Sequence, residues 1–176
     1  MSVDFRLGVL DNATLRAAIP QLAALLQTTV AHGSSVSFIH PLSAADAAAF
    51  WARVADEAAE TKRIVLAAWF GTTLAGTAQL VPASVPNGRH RAEVQKVLVH
   101  PTYRRRGIGL ALMNALEIEA RARGIRLLVL DTEAGRDGEG LYAKAGWQRS
   151  GHIPGYAYDS TGMTLIDTVV YYKTLV

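Results

Sequence analysis

The chain contains no cysteine. This excludes a disulfide scaffold, a thiolate zinc site and any mechanism that parks an acyl group on a cysteine. No apolar run approaches the ~20 residues needed to cross a bilayer. The start, Met1-Ser2-Val3-Asp4-Phe5, lacks the charged-then-apolar pattern of a secretory signal. A strong excess of one charge is also missing: 18 Lys and Arg against 15 Asp and Glu leave +3, too mild to suggest nucleic acid. The five histidines, His32, His40, His90, His100 and His152, show no His-x-x-x-His or His-Glu-x-x-His spacing, so no metal is expected. Internal repeats, linkers and low-complexity tracts are absent. What remains is 176 residues, half of them hydrophobic and 19% charged. The expectation is one domain over residues 1–176, able to bury a core without staples and residing in the cytoplasm.

Apolar periodicity orders the elements. A strand over Phe5 to Val9 precedes a helix capped by Asp11 or Asn12, with Leu15, Ile19, Leu22, Leu26 and Val30 at helical spacing. Pro20 within it is expected to kink that helix or start a fresh one. His32-Gly33-Ser34-Ser35 ends it and opens a loop through Pro41. Ser43 with Asp46 forms a capping pattern for a second helix bearing Ala47, Phe50, Trp51 and Val54. Ile64 to Phe70 and Leu74 to Val81 flank Gly71-Thr72 as a hairpin. After the Pro86-Asn87-Gly88 turn come a strand over Ala92 to His100 and a helix from Gly107 to Arg123, stopped by Gly124. A strand over Leu127 to Leu130 ends in Asp131, and a short helix covers Glu139 to Ala145. Trp147 to Ile153 and Thr168 to Leu175 are the last strands. This order predicts a mixed α/β sheet with helices on both faces. Trp51, Trp69 and Trp147 read as core.

The basic residues are uneven: Arg89-His90-Arg91, then Arg104-Arg105-Arg106, then Arg121, Arg123 and Arg126. Local clusters on a nearly balanced chain suit a small anionic ligand. The most informative stretch runs Val97-Leu98-Val99-His100-Pro101-Thr102-Tyr103-Arg104-Arg105-Arg106-Gly107-Ile108-Gly109. A strand leads into a basic loop, and two glycines one residue apart begin a helix. Glycines allow close backbone approach, and a helix start offers unpaired N–H groups and partial positive charge, a ready phosphate site. A Walker loop would need Gly-Lys-Ser/Thr, which is missing. A dinucleotide fingerprint would need a third glycine where Leu112 stands. The bland alternative is a solvated arginine loop before an ordinary helix.

Arg104-x-x-Gly107-x-Gly109 resembles the pyrophosphate loop of the GNAT superfamily of acetyltransferases, and Leu141-Tyr142-Ala143-Lys144-Ala145-Gly146-Trp147 resembles its downstream Leu-Tyr-x-Lys-x-Gly-Phe segment. The chain departs from the family pattern at Gly135, where asparagine is frequent. Asn87-Gly88, Arg91 to Lys96, Asp131 to Gly135, Pro154-Gly155-Tyr156 and Tyr172 to Leu175 look similar to the tabtoxin-resistance subgroup. The resemblance spans nearly the whole chain. It implies a mostly antiparallel mixed sheet of six to seven strands, splayed in the middle and flanked by about four helices. It also implies acetyl-coenzyme A as co-substrate, held by the backbone of Val97, Leu98 and Val99 and by Arg104, Arg105, Arg106, Gly107, Ile108, Gly109 and Leu110. The implied partners are acetyl-coenzyme A and a small-molecule amine, with no nucleic acid or membrane, in a monomer or homodimer. A toxin-resistance role comes with the subgroup likeness.

With no cysteine, the simple chemistry is direct attack of a neutral amine on the thioester within a ternary complex. A substrate ammonium must first lose a proton, and Glu93 and Asp131 are the candidate bases. The alternatives are a salt bridge from Glu93 to Arg91 or Lys96, and loop capping by Asp131. Tyr142 is the candidate acid for the leaving thiolate, its hydroxyl having an unperturbed pKa of ~10 against roughly 8.5 for a thiol; otherwise it is an amphipathic core residue. His40, Glu93, Gln95, Lys96 and Asp131 are the expected acceptor-site residues, since His32 and His40 bracket a loop that borders the acceptor pocket in the resembling fold. Two rivals share the motifs: a protein N-terminal or lysine acetyltransferase, and a non-catalytic coenzyme A-binding module.

Overall fold

The computed structural model describes residues 5–175, so most of the Met1 to Phe5 start read above lies outside it. Among the described residues the elements run β1 (Arg6–Val9), α1 (Asn12–Ala31), α2 (Ala44–Ala59), β2 (Ile64–Phe70), β3 (Thr73–Pro82), β4 (Arg91–Val99), α3 (Ile108–Ala122), β5 (Leu127–Glu133), α4 (Asp137–Lys144), β6 (Gln148–Tyr158) and β7 (Leu165–Thr174). All seven strands share one sheet, ordered β1-β2-β3-β4-β5-β7-β6. Its pairings are antiparallel except that of β4 with β5.

Alternation along the central strands divides the core in two. Ile64, Leu66 and Ala68 of β2 face α3, where they meet Ile108, Leu112, Met113 and Leu116. Val65 and Ala67 face the other way, toward Leu15, Leu22, Leu26, Trp51 and Val54 of α1 and α2. This is why Ile64 to Phe70 reads as an unbroken apolar run: both of its faces are buried.

Pro20 does not break α1, which continues from Asn12 to Ala31. Pro20 and Arg16 are exposed, so the carbonyl deprived of its helical partner meets water, while Leu15, Leu22 and Leu26 pack the opposite side. Asp131 does not close β5, which runs on to Glu133 with Asp131 opposite Val170. At the far edge β6 extends to Tyr158 and β7 starts at Leu165, both beyond the apolar runs that marked them. Their outer turns carry exposed residues that hydropathy cannot signal.

The middle of the sheet carries an irregularity. Gln95 opposes Gln79 and Leu98 opposes Thr77, so Lys96 and Val97 together stand against Ala78 alone. Lys96 takes a left-handed φ of 48° within this β-bulge. The extra residue reverses the alternation: Val94 faces the α3 core, yet Leu98 faces the α1–α2 core. Beside the bulge, β4 and β5 pair only from Arg91 opposite Leu127 to Glu93 opposite Val129. Beyond that point no strand among the described residues covers the β5 side of β4.

One polar contact fastens the outer layer. Lys173 Nζ of β7 donates to Glu117 Oε1 of α3 and to the Ala145 carbonyl after α4, each at 2.6 Å. The Glu117 side chain is 8% exposed, and its other cation, Arg121, stands off at 3.7 Å, so removing Lys173 leaves a buried carboxylate with only this looser partner. Lys173→Met is expected to lose about 3 kcal/mol of stability in urea unfolding. A loss below about 1 kcal/mol, usual for exposed pairs, would show that the contact fastens nothing.

Candidate active site

The parting of β4 from β5 opens a cleft of about 1510 Å³. That exceeds the ~300–1,000 Å³ of ordinary small-ligand pockets and leaves room for two ligands side by side. Its walls come from the α1–α2 loop, the open edge of β4, the start of α3, the end of β5, α4 and the β6–β7 pair.

One end is built for an anion. Gly107 caps α3 with φ 81°, and Arg105 before it also lies in the left-handed region at 62°. The first amide of α3 to bond back is that of Ala111, to the Gly107 carbonyl at 3.0 Å. The N–H groups of Ile108, Gly109 and Leu110 thus lack helical partners and carry the partial positive charge of the helix start. A side chain at Gly109 would meet Leu141 at 3.2 Å, so glycine there keeps α3 and α4 in close contact. Among the described residues Arg105 makes only an exposed ion pair with Asp137 at 3.6 Å, weak enough to exchange for a ligand phosphate. These features fit a phosphate-bearing cofactor whose extended arm lies along the uncovered edge of β4.

The other end carries acids and a lysine. Glu93 lies opposite Val129, and Asp131 is two residues further along β5, so both carboxylates leave the same face of the sheet. Glu93 Oε1 accepts from Gln95 Nε2 at 2.9 Å, and Asp131 Oδ2 accepts from Thr168 Oγ1 at 2.9 Å. Neither bond is the Arg91 or Lys96 salt bridge, nor the loop cap, weighed from sequence. Lys96 reaches across from the bulge to Ser37 Oγ at 3.1 Å and lies near the Phe50 ring. Burial, with Arg63 nearby, pushes its amine below the ordinary lysine value, partly offset by Asp131 and Glu93. Between the two ends stands Tyr142 of α4, packed against Trp147 and Tyr171. Burial, with Asp131 and Tyr171 adding to it, pushes its phenol up to about 12.

The cleft brings together Glu93, Gln95, Lys96, Val97, Leu98, Val99, Arg104, Arg105, Gly107, Ile108, Gly109, Leu110, Asp131 and Tyr142. Two expected site residues stand elsewhere. Arg106 lies over the rings of Phe70 and Tyr103 at 5.3 and 5.6 Å; with Tyr103 stacked on Phe70, it anchors the basic loop rather than facing the cleft. His40 is absent from the walls, its amide donating to the Ser160 carbonyl, and His32 lines the cleft instead. Sequence reasoning missed Arg63, Gln79, Ser37 and Thr168. Of these, only Gln79 carried a signal, as an amide inside an otherwise apolar strand.

A family model described as "Acetyltransferase (GNAT) family" matches residues 30–147. The chain belongs to that family. A mycothiol acetyltransferase of Kineococcus radiotolerans is 40% identical over 91 residues, covering 52% of this chain and 29% of that protein. This chain therefore matches less than a third of that relative's length. Among solved structures, an N-acetyltransferase from Staphylococcus aureus Mu50 superposes with a TM-score of 0.81 at 17% identity, over 98% of this chain and 99% of that one. The Salmonella typhimurium protein yncA, solved with its cofactor acetyl-CoA, superposes at 0.79 with 19% identity, over 98% and 95%.

A phenol raised to about 12 stays protonated throughout the working range of the protein. It is available as a donor at every such pH and cannot itself produce a limb of the pH–rate profile. Tyr142→Phe is expected to lower kcat by about 100-fold at each pH between 6 and 10 without moving either limb. Unchanged kcat, with chemistry rate-limiting, would return Tyr142 to the core.

Proposed function

We propose that the protein transfers the acetyl group of acetyl-coenzyme A to the amine of a small molecule, directly within a ternary complex. The observation that carries this reading is the polarity of the cleft. Unpaired amides and Arg104–Arg105 lie at one end, Glu93, Asp131 and Lys96 at the other, and a protonated Tyr142 between them. The first end suits a pyrophosphate, with the pantetheine arm laid along β4 beside Val97, Leu98 and Val99.

The acceptor arrives as an ammonium held by Glu93 and Asp131, which take one proton through water. The neutral nitrogen attacks the thioester carbonyl. A C–N bond forms, and backbone N–H groups of β4 steady the oxyanion. As the C–S bond breaks, charge grows on sulfur and Tyr142 donates to it. Burial that raises the phenol also makes it a weaker acid, so its proton moves only as the thiolate forms. The second ammonium proton leaves through the carboxylates, a proton from solvent restores Tyr142, and the products are an acetamide and free thiol.

Lys96 supports a particular acceptor class. Among the described residues its ammonium has a hydroxyl but no carboxylate within hydrogen-bond reach, and Arg89 and Arg91 do not line the cleft. A carboxylate on the acceptor would complete it, which favours a free amino acid, a short peptide or an amino-acid toxin of the β-lactam type. The relative named for mycothiol, rather than for a protein acceptor, points the same way. A cytoplasmic location and a detoxifying role belong to the same reading.

Calorimetry is expected to show acetyl-coenzyme A binding far more tightly than ATP or NAD. Gly107→Val, strained by its positive φ, and Gly109→Val, driven into Leu141, should each weaken it by about ten-fold or more; equal affinity for all three ligands would refute the cofactor assignment. Thiol release should then be measured with the standard amino acids, dipeptides, a β-lactam amino acid and peptides bearing free N-termini. Free amino acids or the β-lactam are expected to react best, with Glu93→Gln and Asp131→Asn each raising KM for the amine but not weakening acetyl-coenzyme A. Preference for peptide N-termini over every small amine would overturn the small-molecule reading, and a silent panel would overturn transfer to amines altogether.

A further inference from the structure

Arg63 stands just before β2 with its side chain only 12% exposed. Its Nε meets Glu57 of α2 at 2.6 Å, and its Nη1 donates to the side-chain oxygens of Gln79 and Gln95 at 2.5 and 2.9 Å. The two glutamines are opposite each other on β3 and β4, and Gln95 Nε2 donates onward to Glu93. Chemistry alone fixes the direction of this chain of bonds. A guanidinium has only donors and a carboxylate only acceptors, so the amide between them must turn its oxygen to Arg63 and its NH₂ to Glu93. Neither flip of Gln95 other than this one satisfies both neighbours.

We propose that Arg63 is a positioning residue for the acceptor site. Through Gln95 it holds one oxygen of Glu93, so that the carboxylate meets the acceptor ammonium with its other oxygen in a set place. This rests on the reading of Glu93 as an amine-binding carboxylate. Gln95, expected from sequence to contact the acceptor, lines the cleft and in this reading also orients Glu93.

Two further observations favour a role beyond packing. Gln79 is fully buried, yet its Nε2 has no partner among the described residues. Its oxygen is committed to Arg63 at the cost of an orphaned donor, which an apolar residue at that position would avoid. Arg63 also lies close enough to Lys96 to disfavour a second cation there. The guanidinium thus acts on two of the three charges of the acceptor end, on Glu93 through an amide and on Lys96 through space, without entering the cleft.

The test is a mutant cycle, read with the amino acid that the thiol-release panel ranks first. Arg63→Met should raise KM for that amine and lower kcat/KM by about ten-fold, with acetyl-coenzyme A affinity by calorimetry unchanged. In a Glu93→Gln background the same substitution should cost less than about two-fold. Gln95→Glu guards against a folding defect: it keeps an acceptor for Arg63 but cannot donate to Glu93, and should reproduce the loss. In ¹⁵N–¹H spectra, the Gln95 side-chain amide should shift in both Arg63→Met and Glu93→Gln. Equal costs for Arg63→Met in the two backgrounds, or parent kinetics in either Arg63→Met or Gln95→Glu, would overturn the proposal. If Glu93→Gln alone matches the parent, the reading of Glu93 fails first, and the cycle separates that outcome from failure of Arg63.

Discussion

The site depends on β4 and β5 parting after Glu93 and Val129. Two parallel strands that remained paired would bury the β4 edge and close the cleft. The inserted residue at Lys96 bends β4 and adds local twist, and from there the backbone edge beside β5 is uncovered. The same insertion returns Leu98 to the α1–α2 core while turning Lys96 toward Ser37. One irregularity therefore leaves the β4 backbone edge free and, in the proposed reading, places a cation at the acceptor end. The left-handed φ of 48° at a lysine is a local cost that the packing on either side sustains.

Around that opening the electrostatics are arranged by element rather than by net charge. The start of α3 contributes unpaired amides and helix-dipole charge, while β4 and β5 contribute carboxylates from the same face of the sheet. Tyr142 reaches the boundary because α4 sits tightly on the end of β5: a side chain at Gly138 would meet Thr132 Oγ1 at 2.8 Å. Glu139, one residue on, accepts from the Gly135 amide and from the Tyr171 hydroxyl at 2.7 Å each, holding the loop where the family often has asparagine. In the proposed reaction, this arrangement brings the acceptor nitrogen to the thioester from the side opposite the phosphates.

Much of this was legible in the sequence because local chemistry sets it. The glycines of Gly107-Ile108-Gly109 marked a helix start with free amides, and alternation around Glu93 and Asp131 put two carboxylates at strand positions. Arg106 misled because three successive arginines read alike, whereas a turn through Arg105 can direct only some of them to one side. The aromatic rings of Phe70, distant in sequence, and of neighbouring Tyr103 claimed the third. His40 misled for a similar reason, since loop position alone does not fix which of two histidines meets the cleft. The partnership of Arg63 with Gln95 depends on strand register across a bulge, and no local pattern reports that.

In the proposed reaction both substrates occupy the parted strands together and the acetyl group passes directly between them. Initial rates should be measured while acetyl-coenzyme A and the preferred amine are both varied, with the intact mass of protein incubated with acetyl-coenzyme A alone recorded alongside. The account requires intersecting double-reciprocal lines and an unmodified mass. Parallel lines accompanied by a stoichiometric acetyl-protein adduct would contradict it.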